Sequence, residues 1–509
     1  MNSNSKRIAK NTIFLYFRMM FTMVVALYTS RVVLNVLGVD DFGVYQTVGG
    51  VVGMLTFVNN ALAIGSSRFL TYELGAGNFN KLKDTFSTVL SVHILLALIL
   101  VVVAETVGLW YIYNKLVVAP ERMDAAIFAY HISVLTSFIT ITQVPYNASI
   151  ISHERMGVYA YVSIADVSLK LGVAYLLALG NYDKLKMYAL LLFLVQLGVA
   201  FFYRVYCVRS FKECRYSLIL KNDIFKDVLS YSGWNLFSST TLALCNQGVL
   251  VLINAFFSPA AVAAKTVAGQ VNMAANSFVN SFRTAVNPQI VKQYAANNRE
   301  GSRNLLLNST KFSFYLMLML CIPIYLLAGS LLKLWLGVVP EYAEPFLKIA
   351  ILTSLIDVFS QSFYTGLYAK GQIRENAVIS FLILLPGFGF IFLLFKLGFS
   401  PISSAWVMFG AMSVISLIVK PLLLVKIVEY PIKPIIGVYV VCLRVALLSV
   451  PIPFLTFAAL QDVNEIFKFA LIVILSIISV CASTWFAGLN ADMKNMVKQA
   501  VLKKLKKAG

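Results

Sequence analysis

The chain has 509 residues, 59% of them hydrophobic and 13% charged, with a mean hydropathy of +0.81. Soluble domains are about half apolar and a quarter charged, so this composition excludes an ordinary soluble enzyme. It also excludes disorder, which needs low hydrophobicity. The formal net charge is +20. On so apolar a chain that excess belongs to loops against an anionic leaflet and not to nucleic acid, because no basic stretch is interleaved with stacking aromatics.

A membrane span needs about 20 mostly apolar residues. The first such run, 11–36, follows Lys6, Arg7 and Lys10, contains Arg18 and Arg31, and lacks a small-x-small cleavage site. It reads as a retained helix rather than a signal peptide. The second, 44–69, carries Arg68 and three glycines, Gly49, Gly50 and Gly53, that permit close helix packing. The third, 85–113, ends on Trp110 and Tyr111, an interfacial belt. Runs 125–151, 156–179 (with Asp166 and Lys170) and 187–208 come next. A basic polar stretch, 209–228, separates them from 229–257, 262–289 (with Lys265 and Arg283), 304–330, 345–369 (with Asp357), 375–398, 402–426, 434–459 and 465–488. The lysine-rich tail 490–509 reads as a basic amphipathic helix on the inner leaflet.

The expected fold class is therefore all-α and polytopic, with about 14 transmembrane helices. Basic loops alternate with acidic ones along this count, which places both termini in the cytoplasm. A shift of 219 residues overlays Val44–Asn78 on Ala263–Asn297 and matches Thr47 with Thr266, Gly50 with Gly269 and Asn78 with Asn297. The repeat implies two six-helix lobes: an N-terminal lobe at 1–208 and a C-terminal lobe at 229–428, joined by the linker 209–228. Helices 13 and 14 at 429–489 and the tail 490–509 complete the chain.

The scattered cysteines offer neither a disulfide framework nor a metal site, no P-loop occurs, and no loop is large enough to carry an enzyme's chemistry. The expectation is no catalytic residue, no metal and no cofactor. Buried charge in a span is a functional hypothesis by default. Arg18, Arg68 and Arg283 fall at similar depth if the N-terminus is inside. If the lobes face each other, they form a cationic cup. Arginine holds phosphate oxygens in a fork and stays charged in a poor solvent, so the cup suits a diphosphate. Arg31 and Lys265 form an outer station. Asp357 and Asp166 are the candidates for coupling to H+ or Na+. Asp166 also has a structural reading, an i,i+4 pair with Lys170.

The stretches TSRVVLNVLGVDDFGVYQTVGG (29–50), GSSRFLTYELGAGN (65–78) and AVNPQIVKQYA (285–295) resemble the polysaccharide-flippase branch of the multidrug/oligosaccharidyl-lipid/polysaccharide exporter superfamily, the Wzx-like O-antigen and lipopolysaccharide-biosynthesis transporters of bacteria. The resemblance implies two six-helix bundles around a central cavity, with two added helices. It implies movement of an undecaprenyl-diphosphate-linked oligosaccharide across the bacterial cytoplasmic (inner) membrane by alternating access. The implied partners are that lipid-linked oligosaccharide, membrane lipids and the polysaccharide polymerase machinery. Related lipid flippases use cavity arginines on helices 1, 2 and 8, the helices that hold Arg18, Arg68 and Arg283 here. The alternative is an ion-coupled multidrug or metabolite exporter of the same superfamily. The glycan, the coupling ion and the oligomeric state stay open at this point.

Overall fold

A computed structural model describes residues 3–53, 56–115, 120–177, 183–217, 222–460, 464–490 and 494–495. The tail expected at 490–509 thus lies almost wholly outside the described residues. Two compact units divide the chain. The first is built from Lys10–Ser239 with Ala295–Asn297. The second is built from Thr240–Tyr294 and the described residues from Asn298 onward, with the N-terminal stretch up to Ala9. The division falls inside a helix rather than in the 209–228 stretch.

The first unit opens with α1 (Ser3–Gly53), which breaks at Gly38 (φ 80°, ψ 170°), a conformation that only glycine adopts without strain. It continues through α2 (Thr56–Ala76), α3 (Phe79–Val103), α4 (Leu109–Lys115), α5 (Met123–Ser152), α6 (Met156–Leu176), α7 (Lys184–Ser210) and the start of α8 (Asn222–Phe256). The second unit holds α9 (Pro259–Ala295), α10 (Arg299–Leu326), α11 (Ala328–Leu336), α12 (Ala343–Lys370), α13 (Arg374–Lys396), α14 (Ser403–Val414) and α15 (Lys420–Leu423). It ends with α16 (Ile432–Ser449), α17 (Pro451–Ala459) and α18 (Glu465–Ser483). No strand occurs among the described residues. Helices satisfy their own backbone groups, which is the condition for a chain whose solvent is lipid.

The internal repeat is visible in the architecture. Helix starts recur after 218 to 220 residues: Ser3 and Asn222, Phe79 and Arg299, Leu109 and Ala328, Met123 and Ala343, Met156 and Arg374, Lys184 and Ser403. Packing repeats with them. In the first unit α5 packs along α3 and α7, and in the second its counterpart α12 packs along α10 and α14. The turn after the second helix of each half uses the same local chemistry. Gly77 (φ 74°) and Asn297 (φ 62°) take the left-handed position. The next residues, Asn78 and Asn298, cap the helix that begins there, their Oδ1 atoms accepting from Lys81 N at 3.1 Å and Gly301 N at 2.9 Å. Helices α16 and α18 pack on α10, so the two extra helices belong to the second unit.

Twelve helical segments among the described residues are long and apolar enough to cross a membrane. All twelve coincide with expected spans, and the protein is a multi-pass membrane protein. The fourteen-span count differs at the second and eighth spans. The second, 44–69, includes residues 54–55, which lie outside the described residues. The eighth, 262–289, is helical throughout, within α9, but is too polar, because Lys265, Asn272, Asn276, Asn280 and Arg283 share it. Large apolar side chains such as Leu443, Leu447, Ile466 and Phe201 stand exposed on these helices, as lipid-facing residues do.

One end of the first unit is tied by an ionic clamp. Arg122 donates to Asp41 Oδ1 at 2.8 Å and Oδ2 at 2.6 Å, and to Asp183 Oδ2 at 3.0 Å. Asp183 also caps α7, accepting from Leu185 N at 3.1 Å and Lys186 N at 3.2 Å. Partial burial alone would push the Asp183 carboxyl up, but the Lys186 amide and the Arg122 guanidinium outweigh it and hold the group below its ordinary range. The clamp therefore contributes stability above the unfolded carboxylate pKa of about 3.9 and loses it as pH falls through the lower folded value.

Candidate functional site

The second unit encloses a cavity of about 420 Å³. Helix α9 builds one wall. Its lining positions are Lys265, Gly269, Asn272, Asn276, Asn280 and Arg283. They recur every three or four residues and so form one continuous stripe, about 27 Å long at the helical rise. Helix α12 builds the facing wall with Phe346, Ala350, Ser354, Asp357 and Gln361, at the same spacing, and with Thr353 beside Ser354. Asn246 of α8 and Met408 and Met412 of α14 close it.

The two polar stripes are tied to each other. Ser354 Oγ donates to Asn272 Oδ1 at 2.7 Å, and Asn276 Nδ2 donates to Ser354 Oγ at 2.8 Å. Gln361 Nε2 donates to Asp357 Oδ2 at 3.1 Å. Arg283 is 6% exposed and donates through one Nη to Asn280 Oδ1. Its other nitrogen, Nη1, is buried with no hydrogen-bond partner among the described residues. A buried guanidinium N–H of this kind is a strong donor waiting for an acceptor. The Lys265 ammonium lies 5.5 Å over the Phe346 ring in the same cavity.

The two units share out the expected charges. Arg283, Lys265 and Asp357 line the same cavity in the second unit. Lys265, expected in a separate outer station with Arg31, thus shares a wall with Arg283. Arg18, Arg31, Arg68 and Asp166 belong to the first unit. Arg18 stacks 4.7 Å over the Tyr159 ring, and both Arg18 and Asp166 lie within electrostatic reach of Tyr203. Arg68 is held among three rings, Phe69 at 4.7 Å, Tyr72 at 5.0 Å and Tyr231 at 5.7 Å. Arginine suits both sites because its planar cation stacks on aromatic faces. Arg31 is exposed on α1. Asp166 accepts from Lys170 Nζ at 2.8 Å, the i,i+4 pair its spacing implied.

Sequence reasoning missed Lys420. It is 5% exposed, lies 4.8 Å over the Tyr364 ring and interacts electrostatically with Asp357. Two π-helical turns, Ile415–Val419 and Leu424–Val428, flank its short helix α15. Each inserts an extra residue and re-aims the side chains beyond it. The available signal was a Lys-Pro pair inside an apolar run. The asparagine stripe was also missed, although its i, i+4 spacing is plain in the sequence. No group of three or more His, Cys, Asp or Glu able to hold a metal occurs among the described residues.

A family model described as MatE matches residues 236–393, which carry most of this cavity and less than half of the chain. Among the curated proteins, none matches. Solved structures do. A MATE protein in a straight conformation superposes with a TM-score of 0.71 at 14% identity, over 84% of this chain and 97% of that one. An outward-facing multidrug resistance MATE family transporter of the MOP superfamily gives 0.69 at 14% identity, over 82% and 94%. A MOP superfamily transporter from Pyrococcus furiosus, described as having a binding pocket of reversed polarity that suggests a different function, gives 0.67 at 14%, over 81% and 94%. The fold of this chain is the MATE transporter fold.

Proposed function

We propose that the chain is a membrane exporter that moves a polar, anionic cargo by alternating access, and that the cargo is an undecaprenyl-diphosphate-linked oligosaccharide delivered across the bacterial cytoplasmic membrane for surface polysaccharide synthesis. The MATE-like fold and the MatE match support the exporter part. The observation that carries the anionic part is Arg283, whose free Nη1 is buried at a cavity wall with Lys265 on the same stripe. Asn246, Asn272, Asn276 and Asn280 add amide donors and acceptors of the kind that match sugar hydroxyls. In this reading Arg18 and Arg68 supply further cations from the first unit, Arg31 guides the cargo out, and the polymerase machinery and membrane lipids are the neighbours that receive it.

A second reading is an ion-coupled exporter of drugs or metabolites. The comparisons favour it at least as well, since the family match and the solved structures are MATE proteins. Asp357, inside the cavity and next to Gln361, is the observation in its favour. Asp357 and Asp166 are then the candidates for H+ or Na+.

Proteoliposomes separate the two. The protein is reconstituted with a fluorescent polyprenyl-diphosphate oligosaccharide, and in a second set with a cationic dye under pH and sodium gradients. The expected result is protein-dependent translocation of the lipid-linked sugar and no gradient-driven dye movement. Dye movement without sugar translocation overturns the anionic reading and selects the second.

A further inference from the structure

Glu105 and His131 form a pair inside the first unit that the cargo reading does not use. Glu105 lies in the π-helical turn Ala104–Gly108, between α3 and α4, and His131 lies just over two turns into α5. His131 Nδ1 is 3.0 Å from Glu105 Oε1 and 2.9 Å from Oε2. Both residues fall within segments apolar enough to cross a membrane, yet their side chains are 32% and 45% exposed, respectively. A lone carboxylate or imidazolium in that setting is strongly unfavourable. A hydrogen-bonded Glu–His pair sharing one proton carries no net charge.

Three features separate this pair from a structural ion pair. The first is the partner. Asp166 is matched to the permanent cation Lys170 at 2.8 Å and Asp41 to Arg122 at 2.6 Å, whereas Glu105 is matched to a histidine inside apolar segments; a second acid–histidine pair, Glu213 with His153, lies outside them. Histidine is the side chain whose ordinary titration falls between about pH 5 and 8. The second is the backbone, because single π turns recur at functional sites. The third is the lock on that turn. Tyr130 Oη donates to Ala104 O at 2.6 Å, and Leu109 N bonds the same carbonyl. A Cβ at residue 108 would collide with the Tyr130 hydroxyl, so only glycine fits there.

We propose that Glu105 and His131 form a proton-binding site that takes up and releases one proton as the transporter cycles. The elements packed on the π turn include α3, α4 and α5, and α1 adds the apolar Val44 and Val48 to the cluster around Ala104. From α5, Tyr130 is the further titratable group that acts on Glu105. Within one turn of Glu105, α3 brings Val101 and Val102 and α4 brings Leu109, all apolar. The site names the driving ion and holds whichever cargo is carried.

The test needs no cargo, so its failure is distinct from failure of the export reading. The purified protein in lipid nanodiscs is titrated from about pH 8 to 5 under difference infrared spectroscopy, which resolves the protonated-carboxyl stretch. The parent is expected to gain a carboxyl band and an imidazole change with one shared midpoint. Glu105→Gln, which keeps the size and an acceptor oxygen, loses that band. His131→Gln moves the midpoint by about one pH unit or more. If Glu105→Gln does not fold, His131→Gln decides alone. A carboxyl band unchanged in Glu105→Gln, or a midpoint unmoved in His131→Gln, overturns the proposal.

Discussion

Arg283→Gln lowers translocation of a diphosphate-linked cargo by about 100-fold, while Asp357→Asn leaves that translocation within about threefold of the parent. The magnitude reflects the interaction removed. Hydrogen bonds from a buried guanidinium to a charged oxygen contribute up to about 3 kcal/mol, and a hundredfold change is about 2.7 kcal/mol. Glutamine keeps bulk and a donor toward Asn280, so the polar walls between α9 and α12 persist through Ser354, Asn272 and Asn276. Asp357 retains Lys420 as a cationic neighbour after the change. The measurement is initial-rate translocation in proteoliposomes at matched protein density. The opposite ranking, with Asp357→Asn the severe variant and Arg283→Gln mild, is what a cation exporter would give.

Gly108→Ala lowers stability by about 3 kcal/mol, the upper end of what overpacking costs, and Tyr130→Phe partly restores it. Tyr130 is fully buried among Val48, Ala104, Ile112, Ala126 and Val134 and has no room to withdraw. The added methyl meets its hydroxyl oxygen and comes within 3.0 Å of its Cζ. Tyr130→Phe alone forfeits the bond to Ala104 O, about 1 kcal/mol. In the double variant the oxygen is gone, so its loss is smaller than the sum of the two single losses. Thermal unfolding of the four proteins in one detergent reads this directly. Strict additivity would show that Gly108 and Tyr130 do not meet.

The architecture was largely legible because hydrophobic run length and local turn chemistry are both encoded locally. The 219-residue repeat reappears in the helix starts, although the helix cap equivalent to Asn78 is Asn298 and not Asn297, which the ungapped overlay pairs with it. The span count was less secure at 262–289, where a helix that lines a cavity sacrifices apolarity to do so. Site residues were legible as buried charges but not as neighbours. Lys265 and Arg283 are 18 residues apart and read as different depths, yet a straight helix puts both on one stripe. Lys420, between two π turns, interacts electrostatically with Asp357, and the Glu105–His131 pair involves a π turn that Tyr130 holds from another helix. Those turns arise from tertiary contacts, so periodicity alone does not reveal them. Asp166 went the other way: its i,i+4 partner was readable, and the ion pair is there.

The most direct measurement is a cryo-electron microscopy density map of the protein in nanodiscs containing a polyprenyl-diphosphate sugar. Density for a phosphate within hydrogen-bond reach of Arg283 Nη1, with the sugar along the Asn272–Asn280 stripe, is the predicted result. A cavity that stays empty, or that holds a cation against Asp357 while the diphosphate lies elsewhere, would contradict the account.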